Sequence, residues 1–224
     1  MRALSFLLLT PMILLPASAS ALEFKPWLGV NGSWGTYSMS DVNDMAGDFN
    51  AGLREDYHKM AEIHDGFGIG VTTGLDLTRR LSAGLSFDQL SATTDVGYPA
   101  NPLVFKFTAN AFRVFGDYAL SRRGRLGMHI GLGAGLVSEF GLLVGGGAPT
   151  SDLTGKGPLG DLAVGADWWA TPEFAVTGSA GYRYAKVGEV KVDGRTFRNF
   201  DNSKIAADYS GVLVRLGVKL ALTK

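Results

Sequence analysis

The chain has no cysteine among its 224 residues, which excludes a disulfide framework and thiolate chemistry. It has only three histidines, His58, His64 and His129, so imidazole chemistry has few places to occur. Basic and acidic residues balance at 21 each, leaving no basic surplus to hold nucleic acid. Long apolar runs are also missing. The most apolar, Leu4 to Leu15, is roughly 12 residues long, whereas a membrane-crossing helix needs ~20. It belongs instead to an expected secretory signal peptide over residues 1–21. Arg2 is its positive start, and Ala19-Ser20-Ala21 is a small-residue cleavage site before Leu22. Residues 22–224 then make one domain. If that domain crosses a membrane, it must do so with strands.

Glycine is what the chain has in excess, at 31 residues, and its placement is regular. From Leu126 to Leu136, Leu126, Met128, Ile130, Leu132, Ala134 and Leu136 alternate with Gly127, His129, Gly131, Gly133 and Gly135. Successive strand side chains face opposite sides of a sheet, so this strand has one apolar face and one nearly bare. A bare glycine face cannot build a hydrophobic core and is a poor solvated surface. Apolar side chains turned to lipid, with glycine and charge in a crowded lumen, account for both faces.

The same alternation marks strands at about Trp27–Tyr37, Gly66–Thr78, Leu81–Leu90, Leu159–Trp169, Phe174–Lys186 and Tyr209–Leu222. A strand at about Leu103–Ala119 is less regular, and Lys106 to Ala111 fits either phase, so a bulge is expected there. These spans suit tilted strands crossing a bilayer, which need ~9–11 residues. Tight turns at Thr78–Arg80, Ser121–Gly124 and Ala170–Pro172 alternate with long connections at Ser38–Asp65, Ser91–Pro102, Ser138–Pro158 and Val187–Ala207. Short periplasmic turns and long extracellular loops are the pattern of an eight-stranded antiparallel up-and-down transmembrane β-barrel. Trp27, Trp34, Tyr37, Phe87, Tyr118, Trp168, Phe174, Tyr182 and Tyr184 lie mostly near strand ends, where interfacial aromatic girdles belong.

Eight strands leave an interior that side chains fill, which disfavours a diffusion porin. Alternation directs Asp76, Asp88, Arg113, Asp117, His129, Asp161, Asp167, Arg183, Arg215 and Lys219 into that interior. Charges shielded from water must pair or shift their protonation, so an ion-pair plug is expected, with a gated ion path the alternative. No motif calls for a cofactor or a metal. His58 and His64 stand amid Asp56, Glu62 and Asp65 in the first loop, a cluster with the groups to bind a metal or act as a base, which a solvated loop face explains equally well. No convergent catalytic constellation emerges, and the expectation is a non-enzymatic protein.

From Ser40 to Ile63 apolar residues recur at helical spacing (Val42, Met45, Phe49, Leu53, Tyr57, Met60, Ile63). Ser40 or Asp41 is the expected cap, and Gly47 and Gly52 weaken the helix. Its apolar stripe predicts a lid over the barrel mouth, with a docking face for lipid or protein as the alternative. This loop is acidic, whereas the last one is basic, with Lys186, Lys191, Arg195, Arg198 and Lys204 against Glu189, Asp193 and Asp201. Lipopolysaccharide phosphates would suit that basic rim, and pairing between the two loops or plain solvation accounts for it at least as well.

The closing segment DYSGVLVRLGVKLAL, Asp208 to Leu222, resembles the last strand of small outer-membrane barrels and the C-terminal signal read by their assembly machinery. Arg215, Gly217, Leu220 and Leu222 carry that pattern. The usual terminal aromatic is missing, and the chain ends in Thr223-Lys224. Residues 22–224 as a whole resemble the eight-stranded outer-membrane barrels of the OmpA, OmpX and opacity-protein type. The resemblance implies a monomeric integral outer-membrane protein with a structural or surface-interaction role. Its partners would be lipid, lipopolysaccharide and the insertion machinery. A ligand- or lipid-binding adhesin using loops 38–65 and 187–207 is the alternative, and a lipid-modifying enzyme a more distant one. Mass spectrometry of the protein recovered from outer-membrane fractions should give an N-terminus at Leu22. An intact Met1 there would remove the export argument.

Overall fold

The computed structural model describes residues 24–53, 55, 57–98, 101–144, 151–199 and 202–222. The expected signal peptide, Asp56, the Thr223-Lys224 end and part of the Ser138–Pro158 connection lie outside the described residues. Long strands dominate: β1 Lys25–Thr36, β2 Asp65–Asp76, β3 Leu81–Tyr98, β4 Asn101–Arg123, β5 Leu126–Val144, β6 Ser151–Trp169 and β7 Phe174–Val187. Three two-residue strands follow, β8 Lys191–Val192, β9 Arg195–Thr196 and β10 Ala207–Asp208, before β11 Gly211–Ala221. One helix, α1 Ser40–Ala51, lies between β1 and β2.

Each of β1 to β6 pairs antiparallel with its successor, β7 pairs with β11, and β11 returns to β1. The sheet therefore closes into an eight-stranded antiparallel barrel. Closure leaves no barrel strand edge to satisfy in hydrocarbon.

Leucine, isoleucine, valine and phenylalanine cover the outside. Phe67, Leu132 and Leu216 keep 70%, 67% and 69% of their surface open, values a soluble protein does not give to a continuous apolar band. Around them Leu28, Val30, Ile69, Leu85, Val114, Leu162, Val164 and Val212 are also exposed. Such a belt is stable only against lipid. Trp34, Tyr118, Trp168, Phe174, Tyr182 and Tyr184 sit on this outer face. Trp27 and Tyr37 do not: both are turned inward and buried, Trp27 against Phe115 and Tyr37 against Tyr209.

At one end the strands join by tight turns. Thr78 Oγ1 accepts from the Arg80 and Leu81 amides, and Thr171 Oγ1 accepts from Glu173 and Phe174. At the other end β3 to β6 run on well past the belt. The expected loop Ser91–Pro102 is paired strand up to Tyr98↔Asn101. The expected loop Ser138–Pro158 is paired from Leu143↔Ser151 downward. Backbone pairing continues there because it satisfies amides in water as well as in lipid; only the hydrophobic alternation stops. The bulge expected within Lys106–Ala111 is absent, and the register of β4 against β5 shifts instead between Ala119 and Ser121. Phe105, Phe107, Ala109, Ala111 and Phe115 thus share one inward phase.

Arginine in place of Leu216, midway along β11, should cost about 2–4 kcal/mol of folding stability, against ~0–1 for Leu220→Arg near the interface. Urea titration into lipid vesicles checks this. Equal costs at both positions would contradict a lipid-facing belt.

Candidate functional site

The inward face carries three tiers, set by how far each residue lies along its strand. Nearest the tight turns, Asp117, His129, Asp167 and Lys219 line a cavity of about 120 Å3 that reaches up to Arg113, Asp161 and Arg215, and Asp76 faces Lys219 beside it. Lys219 Nζ lies 3.9 Å from both Asp76 and Asp167, and His129 Nδ1 lies 4.0 Å from Asp167. The same ammonium sits 4.1 Å above the Trp27 ring, so an aromatic expected at the interface serves as a cation's platform. Asp117 lines this cavity beside His129 and Lys219.

The middle tier is one continuous cluster. Arg183 Nη2 donates to Asp88 Oδ2 at 2.8 Å, and Arg215 Nη2 reaches Asp88 at 3.4 Å and Asp161 at 2.9 Å. Arg113 donates to Asp161 through Nη1 and to Ser86 Oγ through Nε at 3.0 Å. The side chains of Asp88 and Arg183 are only 1% and 2% exposed. Three arginines meet two aspartates here, while the tier below sets three aspartates against Lys219 and His129. Opposite surpluses in adjacent tiers attract along the barrel axis.

Cross-strand register explains how these side chains fit. Asp88 stands opposite Gly70, Asp117 opposite Gly131, Asp161 opposite Gly133, and His129 opposite Gly165. A Cβ added at any of these glycines would collide with the facing carboxylate oxygen or imidazole nitrogen. Arg113 also stands opposite Gly135 and Asp167 opposite Gly127, but a Cβ at Gly135 would strike backbone and one at Gly127 would find ordinary contacts only. Gly32 has open space beside it and takes no part in this packing.

Above the ion pairs the lumen turns apolar, with Leu90, Phe105, Phe107, Val137, Leu153 and Leu159 buried in one cluster. One charged group lies within it. Glu139, 2% exposed, accepts a hydrogen bond from the Tyr209 hydroxyl. In sequence Glu139 lies in the expected loop Ser138–Pro158, yet it continues the inward parity of Gly133, Gly135 and Val137.

Helix α1 closes the mouth. Val42, Met45 and Ala46 join the apolar cluster, as do Met60 and Ile63. The helix is shorter than its apolar spacing predicts. It ends at Ala51 before Gly52, and Met60 and Ile63 reach the cluster from extended chain. Neither Ser40 nor Asp41 caps it; Met39 occupies the cap position with φ 33°. Ser40 Oγ turns to Asp41, and Asp41 accepts from the Ala206 amide at 3.0 Å, tying the helix to the last loop. Asn43 and Asn50 each clasp a backbone segment in two directions, at Ile63 and Met60. In the last loop Glu189 accepts from Thr196 and from Lys204, which hold its carboxyl below the usual range.

His58 and His64 are not brought together. His58 lies 3.6 Å from Asp95 of β3, and His64 lies 3.0 Å from Glu62, both pairs being exposed.

Replacing Arg183 by Leu leaves Asp88 buried without its nearest cation and should cost about 3–5 kcal/mol, much of which returns in Arg183→Leu/Asp88→Leu. Gly133→Val, which drives into Asp161, should cost about 1–3 kcal/mol while Gly32→Val costs little. Denaturant titration in vesicles reads all four. A neutral Gly133→Val would contradict the packing of glycine against charge.

No family model matches the chain, and no curated protein matches it. Among solved structures, Ail, the attachment invasion locus protein of Yersinia pestis, was determined in complex with the heparin analogue sucrose octasulfate. It aligns at 12% identity over 90% of this chain and 100% of that one, with a TM-score of 0.51. Neisserial surface protein A aligns at 15% identity over 87% and 96%, with a TM-score of 0.48. At such identity the likeness is one of fold. This chain has the fold of the small eight-stranded outer-membrane β-barrels, which with its apolar belt points to the outer membrane.

Proposed function

We propose that the protein is a closed, non-conducting and non-enzymatic outer-membrane barrel with a structural or surface-interaction role. The observation that carries this reading is the lumen. A continuous chain of ion pairs from Arg113 through Asp161, Arg215 and Asp88 to Arg183 lies beneath an apolar cluster sealed by α1. Hydrated ions would have to break both layers. The lower cavity is then a vestibule with a closed end.

Chemistry at the outer rim would draw on His58 or His64. Each is engaged with a single exposed carboxylate, an arrangement typical of solvated surface pairs rather than of a buried acid–base device. Lipopolysaccharide and the insertion machinery remain the proposed partners, the former through exposed Lys191, Arg195, Arg198 and Lys204.

In planar lipid bilayers the purified protein should give no stepwise conductance. A variant combining Arg113→Ala and Arg215→Ala with removal of residues 40–63 should conduct. Unitary steps from the native protein would contradict the plug. Mass spectrometry of lipid A from cells carrying His58→Ala and His64→Ala should match that from cells carrying the native protein; a difference would restore the enzymatic reading.

A further inference from the structure

In the cap, α1, the segment after it, the upper end of β4 and the loop following β9 line a partly open apolar pocket of about 280 Å3. Its apolar walls are Met45, Phe49, Met60, Phe105 and Phe197, and Arg198 and Asn199 are its polar lining. Phe105 faces inward at the upper end of β4, and Met45 and Met60 are buried. Phe49 and Phe197 are only partly covered, although they lie on the aqueous side of the barrel, away from the lipid belt. Methionine walls adapt to irregular hydrocarbon shapes. The Arg198 side chain is held by a bond from Nη1 to the Asn202 carbonyl at 2.7 Å; the same loop carries Lys191 and Arg195 with Asp193, and its Lys204 is paired with Glu189 at 3.1 Å.

We propose that this pocket binds a single medium-length alkyl chain ending in a carboxylate, taken up from the extracellular medium. The chain would lie among the methionines and phenylalanines, and its carboxylate would meet the Arg198 guanidinium, whose planar donor edge suits that group. Shape sets the occupant: five apolar side chains form one continuous lining, which matches a single alkyl chain. Position sets the source. The walls belong to the cap and to the inward face of β4, so a bilayer acyl chain would have to pass through the strand wall to enter. The proposal goes beyond the structural role and does not need the lumen to conduct.

The test is equilibrium dialysis of radiolabelled decanoate against the mature protein in lipid nanodiscs, with empty nanodiscs and decanol as comparators. A saturable component of one decanoate per barrel, above the empty-nanodisc background, is expected. Met60→Trp and, as a second filling variant, Phe49→Trp should each weaken it about tenfold or more; heat-modifiable gel migration verifies that both are folded. Arg198→Gln should weaken decanoate about tenfold and leave decanol unchanged, as the loss of one charge-assisted contact requires. Decanoate bound only at the empty-nanodisc level, or indifferent to both filling variants, overturns the pocket. An equal effect of Arg198→Gln on decanoate and decanol overturns the carboxylate assignment. Occupancy by a lysophospholipid that decanoate does not displace overturns the extracellular source.

Discussion

The constraint on which this structure depends is that buried charge must be matched within a tube barely wide enough to hold it. Eight strands leave an interior narrow enough for side chains to fill most of it. Asp88, Asp161, Arg113, Arg183 and Arg215 meet in that space, and each carboxylate needs a neighbouring strand that yields room. Gly70 and Gly133, directly across the register from Asp88 and Asp161, give that room. Glycine weakens a strand by itself, through lost packing and a more flexible unfolded chain. Here the weakness is offset because backbone pairing is complete around the barrel and because ion pairs fasten β3, β4, β6, β7 and β11 to one another from within.

The barrel thus answers to three surroundings at once. Lipid selects the outer face, where Leu132 and Leu216 stand open. Mutual pairing selects the lower lumen. Beyond the belt, where lipid no longer excludes polar backbone, the inward face reverts to an ordinary hydrophobic core under α1. The long hairpins of β3 to β6 supply the walls of that core. A short helix with three buried apolar residues suffices to close it, since the strands already bury most of the remainder.

Most of the barrel was legible because lipid imposes a strict period of two. Every strand that crosses the belt carries it, and parity assigns the charged and imidazole residues to the face opposite the belt. What was not legible lies where that constraint lapses. The upper halves of β3 and β5 lose the lipid-facing pattern, so they looked like loops and hid Glu139. Trp27 reads as interfacial from its place near a strand end, whereas parity puts it inside. Met60 and Ile63 share the spacing of the helix that ends at Ala51, but burial against the barrel mouth, not helical continuity, explains them. The ion-pair partners themselves, such as Arg183 with Asp88 across 95 positions, depend on strand order around the closed ring, which parity does not reveal.

The direct test is which solvent each face meets, and a chain without cysteine allows it cleanly. Single cysteines at Ile69, Leu132 and Leu216 in nanodiscs, each carrying a spin label, should collide readily with oxygen and poorly with a water-soluble nickel chelate. Labels at Asp117 and Lys219 should show the reverse from the vestibule end. Nickel accessibility at Leu132 and Leu216, or their burial from both reagents with the protein stable in detergent-free water, would contradict the account.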